Sequence, residues 1–100
     1  MSLIDQIKTR LPIAAFVSPY TNGLKASGNG FFIGRCPFHQ LPDDPPAKRK
    51  FWVSTTKNTC GCFVPRCPAH NSLDLIDFYQ LYHHCPRNEA IHQLARKAGL

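Results

Sequence analysis

Cysteine and histidine spacing sets the tightest limit on what this chain can fold into. CPFH, residues 36–39, holds Cys36 and His39 with two residues between them, and NTCGCFVPRCPAH, residues 58–70, adds Cys60, Cys62, Cys67 and His70. With Cys85 the chain has five cysteines, an odd number that does not pair off cleanly. The opening MSLIDQIKTR lacks the basic start and long apolar stretch of a signal peptide. No apolar run reaches the roughly 18 residues that a membrane span takes. The expected location is therefore the cytoplasm, where thiols stay reduced and clustered cysteines read as metal ligands. The competing role is ordinary small core residues, which the C-x2-H and C-x4-C spacings argue against.

Two short turns, each at a strand end, let four ligands converge on a tetrahedral zinc ion at about 2.0–2.3 Å. Cys36 and His39 form the first pair. Cys60, Cys62, Cys67 and His70 compete for the second. Cys60 and Cys62 point to the same side of a strand, a spacing seldom used to chelate one ion. Cys62 and Cys67 bracket FVPR, long enough for a turn around Pro65. His70 sits near a helix entry, where capping or solvent contact is the competing role. A closed site of three cysteines and one histidine leaves no position for water, so its zinc is structural.

The rest of the chain supplies the frame. Ser2 suits the cap of a first helix, with Ile4, Ile7 and Leu11 on one face. Pro12 suits the first turn of a second, with Ile13, Phe16, Val17 and Tyr20 on one side. LKASGNGFFIGRC reads as a β-hairpin turning at Gly28, Asn29 and Gly30. LPDDPPAKRK, residues 41–50, reads as a loop because three prolines forbid a regular element. FWVSTT and TCGCF read as a second hairpin joined at Lys57 and Asn58, with Phe51, Val53 and Thr55 alternating against Trp52, Ser54 and Thr56. Ser72 or Asn71 can cap a third helix, with Leu73, Ile76 and Gln80 on one side and Leu75, Phe78, Tyr79 and Tyr82 on a broad apolar face. After Pro86, Asn88 can cap a fourth, which Gly99 ends. The fold class is α+β: a zinc ribbon with a small antiparallel sheet, flanked by N-terminal and C-terminal helices. One domain is expected over residues 1–100, with helices over about 3–20, the ribbon over about 23–70 and helices over about 72–98.

The net charge of +6 is concentrated in the ribbon. Residues 25–66 carry Lys25, Arg35, Lys48, Arg49, Lys50, Lys57 and Arg66 against Asp43 and Asp44, a net of +5. A polyanionic partner follows as the hypothesis, against a merely soluble basic surface. One face of an antiparallel sheet can stay wet. Lys25, Phe32, Arg35, Lys50, Trp52 and Lys57 are the candidates for it, since aromatics stack bases while cations neutralise phosphates. Core packing is the competing role for Phe32 and Trp52.

Several motifs carry a family resemblance that covers nearly the whole chain. LIDQIKTRLPIAAFVSPYTNGLKASGNGFFIGRCPFH resembles the opening of the N-terminal zinc-binding domain of bacterial and phage DnaG-type DNA primases. FWVSTTKNTCGCF is similar to that family's second hairpin, and DLIDFYQLYHHCPRNEAIHQLARKAGL to its closing helices. The resemblance implies zinc held by Cys36, His39, Cys62 and Cys67. It places Cys60 where the family usually has an aromatic strand residue; Cys60 stays as the alternative ligand. The chain departs from the family in a longer loop after CPFH, in four residues rather than two between Cys62 and Cys67, and in PAHNSLD after them. These departures point to a divergent branch, such as that of a phage, plasmid or other mobile element.

The resemblance further implies a module that binds the single-stranded DNA template and helps select the start site for RNA primer synthesis. The chemistry would belong to a separate polymerase domain, in cis or in trans. Two-metal phosphoryl transfer needs clustered carboxylates, and the nearest pair, Asp43 and Asp44, lies in the proline-rich loop. The chain is expected to be non-catalytic alone. The rival is a zinc-ribbon interaction module whose target is a protein, such as a polymerase or the replicative helicase. Thiol redox chemistry at CGC is a third reading, and it requires thiols free of metal.

Overall fold

The computed structural model describes residues 2–21, 23–39 and 50–100. Helix α1 (Leu3–Arg10) starts at Ser2, whose hydroxyl accepts the Asp5 N–H at 3.2 Å. It ends at Leu11, because Pro12 takes up the extended backbone that starts α2 (Ile13–Val17). Pro12 is thus the cap of α2 and not its first turn. The expected run to Tyr20 also changes character: after Val17 the chain tightens into a 3-10 turn, Ser18–Thr21. Pro19 has no N–H for the next α-helical bond, so the tighter turn takes over.

Strands β1 (Lys25–Gly28), β2 (Phe31–Gly34), β3 (Phe51–Ser54) and β4 (Thr59–Cys62) form one antiparallel sheet in that order. Asn29 and Gly30 turn the first hairpin with φ of 53° and 78°, the left-handed pair that matches strand twist. The second hairpin is shorter than its sequence pattern. Its strands stop at Ser54 and resume at Thr59, so Thr55 and Thr56 belong to the turn with Lys57 and Asn58. The Ser54 hydroxyl accepts the Lys57 N–H at 3.3 Å, and Asn58 closes the turn at φ 56°. The loop expected over 41–50 lies outside the described residues except for Lys50, which is exposed.

Beyond β4 the chain folds back along the sheet edge. Cys60 and Leu73 exchange backbone hydrogen bonds of 2.8 and 2.7 Å, and the Cys62 N–H donates to the Ala69 carbonyl at 2.8 Å. This pairing holds Leu73 extended, so α3 (Leu75–His83) starts later than expected. Its cap is Asp74, in reciprocal hydrogen bonds with Asp77, and not Ser72 or Asn71. Helix α4 (Arg87–Lys97) is likewise capped by Pro86 backbone and not by Asn88; Gly99 ends it at φ 77°.

The helices cover one face of the sheet. Ile13, Val17, Phe51, Val53, Cys60 and Phe78 meet in one buried cluster. A second cluster joins α1, α3 and α4 through Ile7, Leu75, Ile76, Tyr79, Ala90 and Leu94. Helix α3 contributes to both; within it Leu75, Ile76, Phe78 and Tyr79 are buried, while Tyr82 is exposed. Lys8 bonds the Asp74 carboxylate at 3.0 Å, and Arg10 donates to the Ala98 carbonyl at 3.3 Å, tying α1 to both C-terminal helices. No helix among the described residues is long and apolar enough to cross a membrane.

Candidate metal centre and the open face of the sheet

Both hairpins end at the same corner. Cys36 and His39 follow β2, Cys62 ends β4, and Cys67 closes the turn beyond it. One ligand atom from each of these four residues lies within 4.8 Å of all the others. Cys36 Sγ is 3.5 Å from Cys67 Sγ, and Cys62 Sγ is 3.8 Å from His39 Nδ1. A tetrahedral ion with bonds of about 2.3 Å to sulfur needs ligand–ligand edges of roughly 3.8 Å. Three thiols and an imidazole at these separations fit zinc by geometry and by donor type.

Local backbone prepares the sulfurs. The N–H two residues on points back at each one: Phe38 to Cys36, Val64 to Cys62 at 3.4 Å, and Ala69 to Cys67 at 3.5 Å. Such bonds favour the thiolate. Burial works against them. It raises the Cys36 thiol well above its ordinary range, and the neighbouring Cys67 and Cys62 sulfurs add to the rise. Burial likewise raises Cys62 despite the Val64 N–H. Crowded, desolvated sulfurs favour a dication, which deprotonates coordinating thiols outright. Phe38 anchors the first turn: its ring centroid lies 5.6 Å from that of Phe78 and 6.4 Å from that of Phe51.

The other candidates stand apart. Cys60 is fully buried, two positions back along β4 from Cys62. Its thiol is pushed up by burial and then by the Asp74 and Asp77 carboxylates, charges that oppose a thiolate. His70 is exposed, and its Nδ1 donates to the Cys62 carbonyl at 3.1 Å, bracing the second turn from outside. Cys85 is half-buried at the α3–α4 junction.

Strand register sorts the remaining residues by face. Phe32 pairs with Val53 and Val53 with Cys60, so Phe32 packs on the helix-covered side. Of the two roles open to Phe32, open face or core packing, it takes core packing. On the other side Lys25 pairs with Ile33, Ile33 with Trp52 and Trp52 with Gly61. Arg35 and Lys50 lie just beyond the β2 and β3 strand ends at the metal corner; the Arg35 N–H donates to the Thr21 carbonyl at 3.3 Å and the Lys50 carbonyl accepts the Phe63 N–H at 2.8 Å. Lys57 stands exposed in the adjoining turn. Lys48 and Arg49, the rest of the KRK run, lie outside the described residues, as do Asp43 and Asp44. Trp52 is half-buried rather than core. Its indole lies over Gly61, where an added Cβ would come within 2.8 Å of the ring. Two aromatics of this face were not singled out by the sequence reading: Phe31, 43% exposed, and Phe63, 57% exposed. The signal for Phe63 was simple alternation, since it follows the inward-facing Cys62.

Comparisons with known proteins place this geometry in context. Residues 1–100 match the CHC2 zinc finger family, the DnaG zinc ribbon. A DNA primase of Streptomyces coelicolor is 32% identical over 97 residues, which span 97% of this chain and 14% of that protein. The crystal structure of the Aquifex aeolicus primase, comprising zinc-binding and RNA polymerase domains, aligns with a TM-score of 0.72 at 30% identity. The alignment covers 99% of this chain and 22% of that one.

Proposed function

The chain belongs to the CHC2 zinc finger family of DnaG-type zinc ribbons, and from that premise we propose that it is the template-binding module of a DNA primase. In this reading Cys36, His39, Cys62 and Cys67 hold the zinc. When bound, the ion supplies a structural clamp and no reaction step. The clamp fixes the end of the first hairpin against the end of the second, which holds β2 and β3 in register. That register in turn lines up the open face.

The open face would take the single-stranded DNA template. One observation carries this reading: the sheet surface away from the helices presents aromatic and cationic side chains together. Lys25, Arg35, Lys50 and Lys57 supply charge for phosphates, while Trp52 supplies a ring on which a base can stack. Primer synthesis itself would fall to a polymerase domain elsewhere, with this module helping to select the start site.

Titration of zinc-loaded protein with labelled single strands over a series of salt concentrations tests the reading. Neutralising three or four phosphates gives a slope of log affinity on log salt of about −2 to −3. Lys50→Ala should weaken binding to all sequences alike and flatten the slope by about 0.7, since phosphate contacts carry no sequence information. Trp52→Ala should cost roughly 1–3 kcal/mol of binding with the slope unchanged. Binding that ignores salt, or a preference for duplex DNA, would remove the template reading and leave the face to a protein partner.

A further inference from the structure

A pocket of about 230 Å³ opens on this same face, between the turn of the second hairpin and the edge segment that returns along β4. Phe31, Trp52 and Phe63 form its apolar walls; Ser54, Thr59 and Ser72 bring hydroxyls, and Lys57 stands beside them. The volume falls below the range for whole drug-sized ligands, roughly 300–1,000 Å³, and suits one ring system. Trp52 cannot sink further, because its ring already rests on the Gly61 backbone. Thr59 Oγ1 is buried with no hydrogen-bond partner among the described residues. Native proteins seldom leave a buried hydroxyl unpaired without a reason. The Ser54 hydroxyl, by contrast, already accepts the Lys57 N–H.

We propose that this pocket takes one unstacked base of the template strand and reads it. The base enters between Phe31, Trp52 and Phe63, and its polar edge parts the walls enough to meet the Thr59 hydroxyl. A base suits the site better than an aliphatic peptide side chain, for two reasons. It has a flat face for the rings and a hydrogen-bonding edge for the orphaned hydroxyl. It also arrives tethered to phosphates, which Lys57 beside the pocket and Lys25 on the same face attract. The proposal rests on the template reading above and adds to it a single position at which base identity matters.

The test uses zinc-loaded protein and the shortest oligo(dT) strand that it binds. One residue at a time is replaced by an abasic residue, and then by dA, dC or dG at the position most affected. The expected result is one position where the abasic residue weakens binding about tenfold, with clear discrimination among bases there. Thr59→Val should flatten that discrimination while leaving the salt slope intact. Its melting temperature should stay level or rise, because an unsatisfied hydroxyl has been removed. Phe63→Ala, at an exposed position that the fold tolerates, should abolish the single-position effect. An abasic effect spread evenly along the strand, or a Thr59→Val protein that reads bases as the wild type does, overturns the pocket. In either case salt-dependent binding survives. Loss of salt-dependent binding by the wild type itself overturns the template reading and the pocket with it.

Discussion

Cys60 and Cys62 are separated by one residue in sequence and should differ completely in consequence. Cys62→Ala removes a sulfur from the four-residue group and leaves three ligands. Zinc contributes about 10–16 kcal/mol to the folding of small zinc domains, more than the roughly 5–15 kcal/mol by which a typical domain is stable at all. The Cys62→Ala protein should therefore be unfolded, or folded only at high zinc. Cys60→Ala removes one small side chain that is 0% exposed in the core. The lost burial is near that of one methylene, about 0.8 kcal/mol. A residual cavity brings the total to roughly 1–2 kcal/mol. For a domain of this length that lowers the melting temperature by about 4–16 °C, with zinc retained at one per chain. Elemental analysis of each purified variant, paired with thermal unfolding followed by circular dichroism, reads both quantities. A zinc-free Cys60→Ala protein, or a Cys62→Ala protein with full zinc and near-normal melting, would refute the reasoning. The second outcome would mean that Cys60 had rotated in, despite the Asp74 and Asp77 charges that oppose its thiolate.

Gly61→Ala should cost about 1–3 kcal/mol by overpacking: the new Cβ meets Trp52 at 2.8 Å and the Asn71 carbonyl at 3.1 Å. Unchanged melting together with unchanged Trp52 fluorescence would show that the ring is not seated there. Burial alone would raise the Asp74 carboxyl, but the Asp77 N–H and the Lys8 ammonium overcome it and hold the group below its ordinary value. A depressed folded-state pKa means stability that is present above the unfolded value near 3.9 and lost as pH falls through the folded one. Asp74→Ala should thus cost about 1 kcal/mol at neutral pH. Urea melts at stepped pH with excess zinc should show that gap closing below about pH 4, and a gap that widens on acidification reverses the sign. Thiol labelling of the folded, zinc-loaded protein should mark Cys85, and Cys60 only after unfolding. Modification of Cys36 without release of zinc would contradict its place in the site.

Features set by neighbours in sequence were mostly legible, with the starts of α2 and α4 misplaced by a residue or two; those set by distant pairing were not. The Ser2 cap, the Asn29–Gly30 turn and the Gly99 helix end each depend on a few adjacent residues. A metal group was legible through spacing, which ranked Cys62 and Cys67 ahead of Cys60 and His70 without deciding between them; the family resemblance implied the set of four. The cap of α3 was missed because Leu73 is held extended by Cys60, across the sheet edge. Phe31 was passed over, and Phe32 left between two roles, for a related reason. GFFIG offers two adjacent aromatics, and only the register against β3, with Phe31 opposite Ser54, decides which one looks outward. Trp52 stayed open for the same reason: alternation set it against Phe51 and Val53 without saying which set faces the helices. Asp74 outranked Ser72 as a cap because the chain was not free to turn until the edge pairing had ended.

The split of the metal group between two hairpins bears on how fast the chain can reach its fold. Each hairpin closes locally, and local closures are quick. Joining β2 to β3 is the slower event, since it draws together positions separated by the whole segment from Arg35 to Lys50. The zinc group straddles this same junction, with Cys36 and His39 on one side and Cys62 and Cys67 on the other. An ion caught by either pair turns the remaining search into a tethered one, limited by how soon the second pair swings into reach. Zinc present during refolding should therefore speed the joining of β2 to β3 as well as stabilise the product.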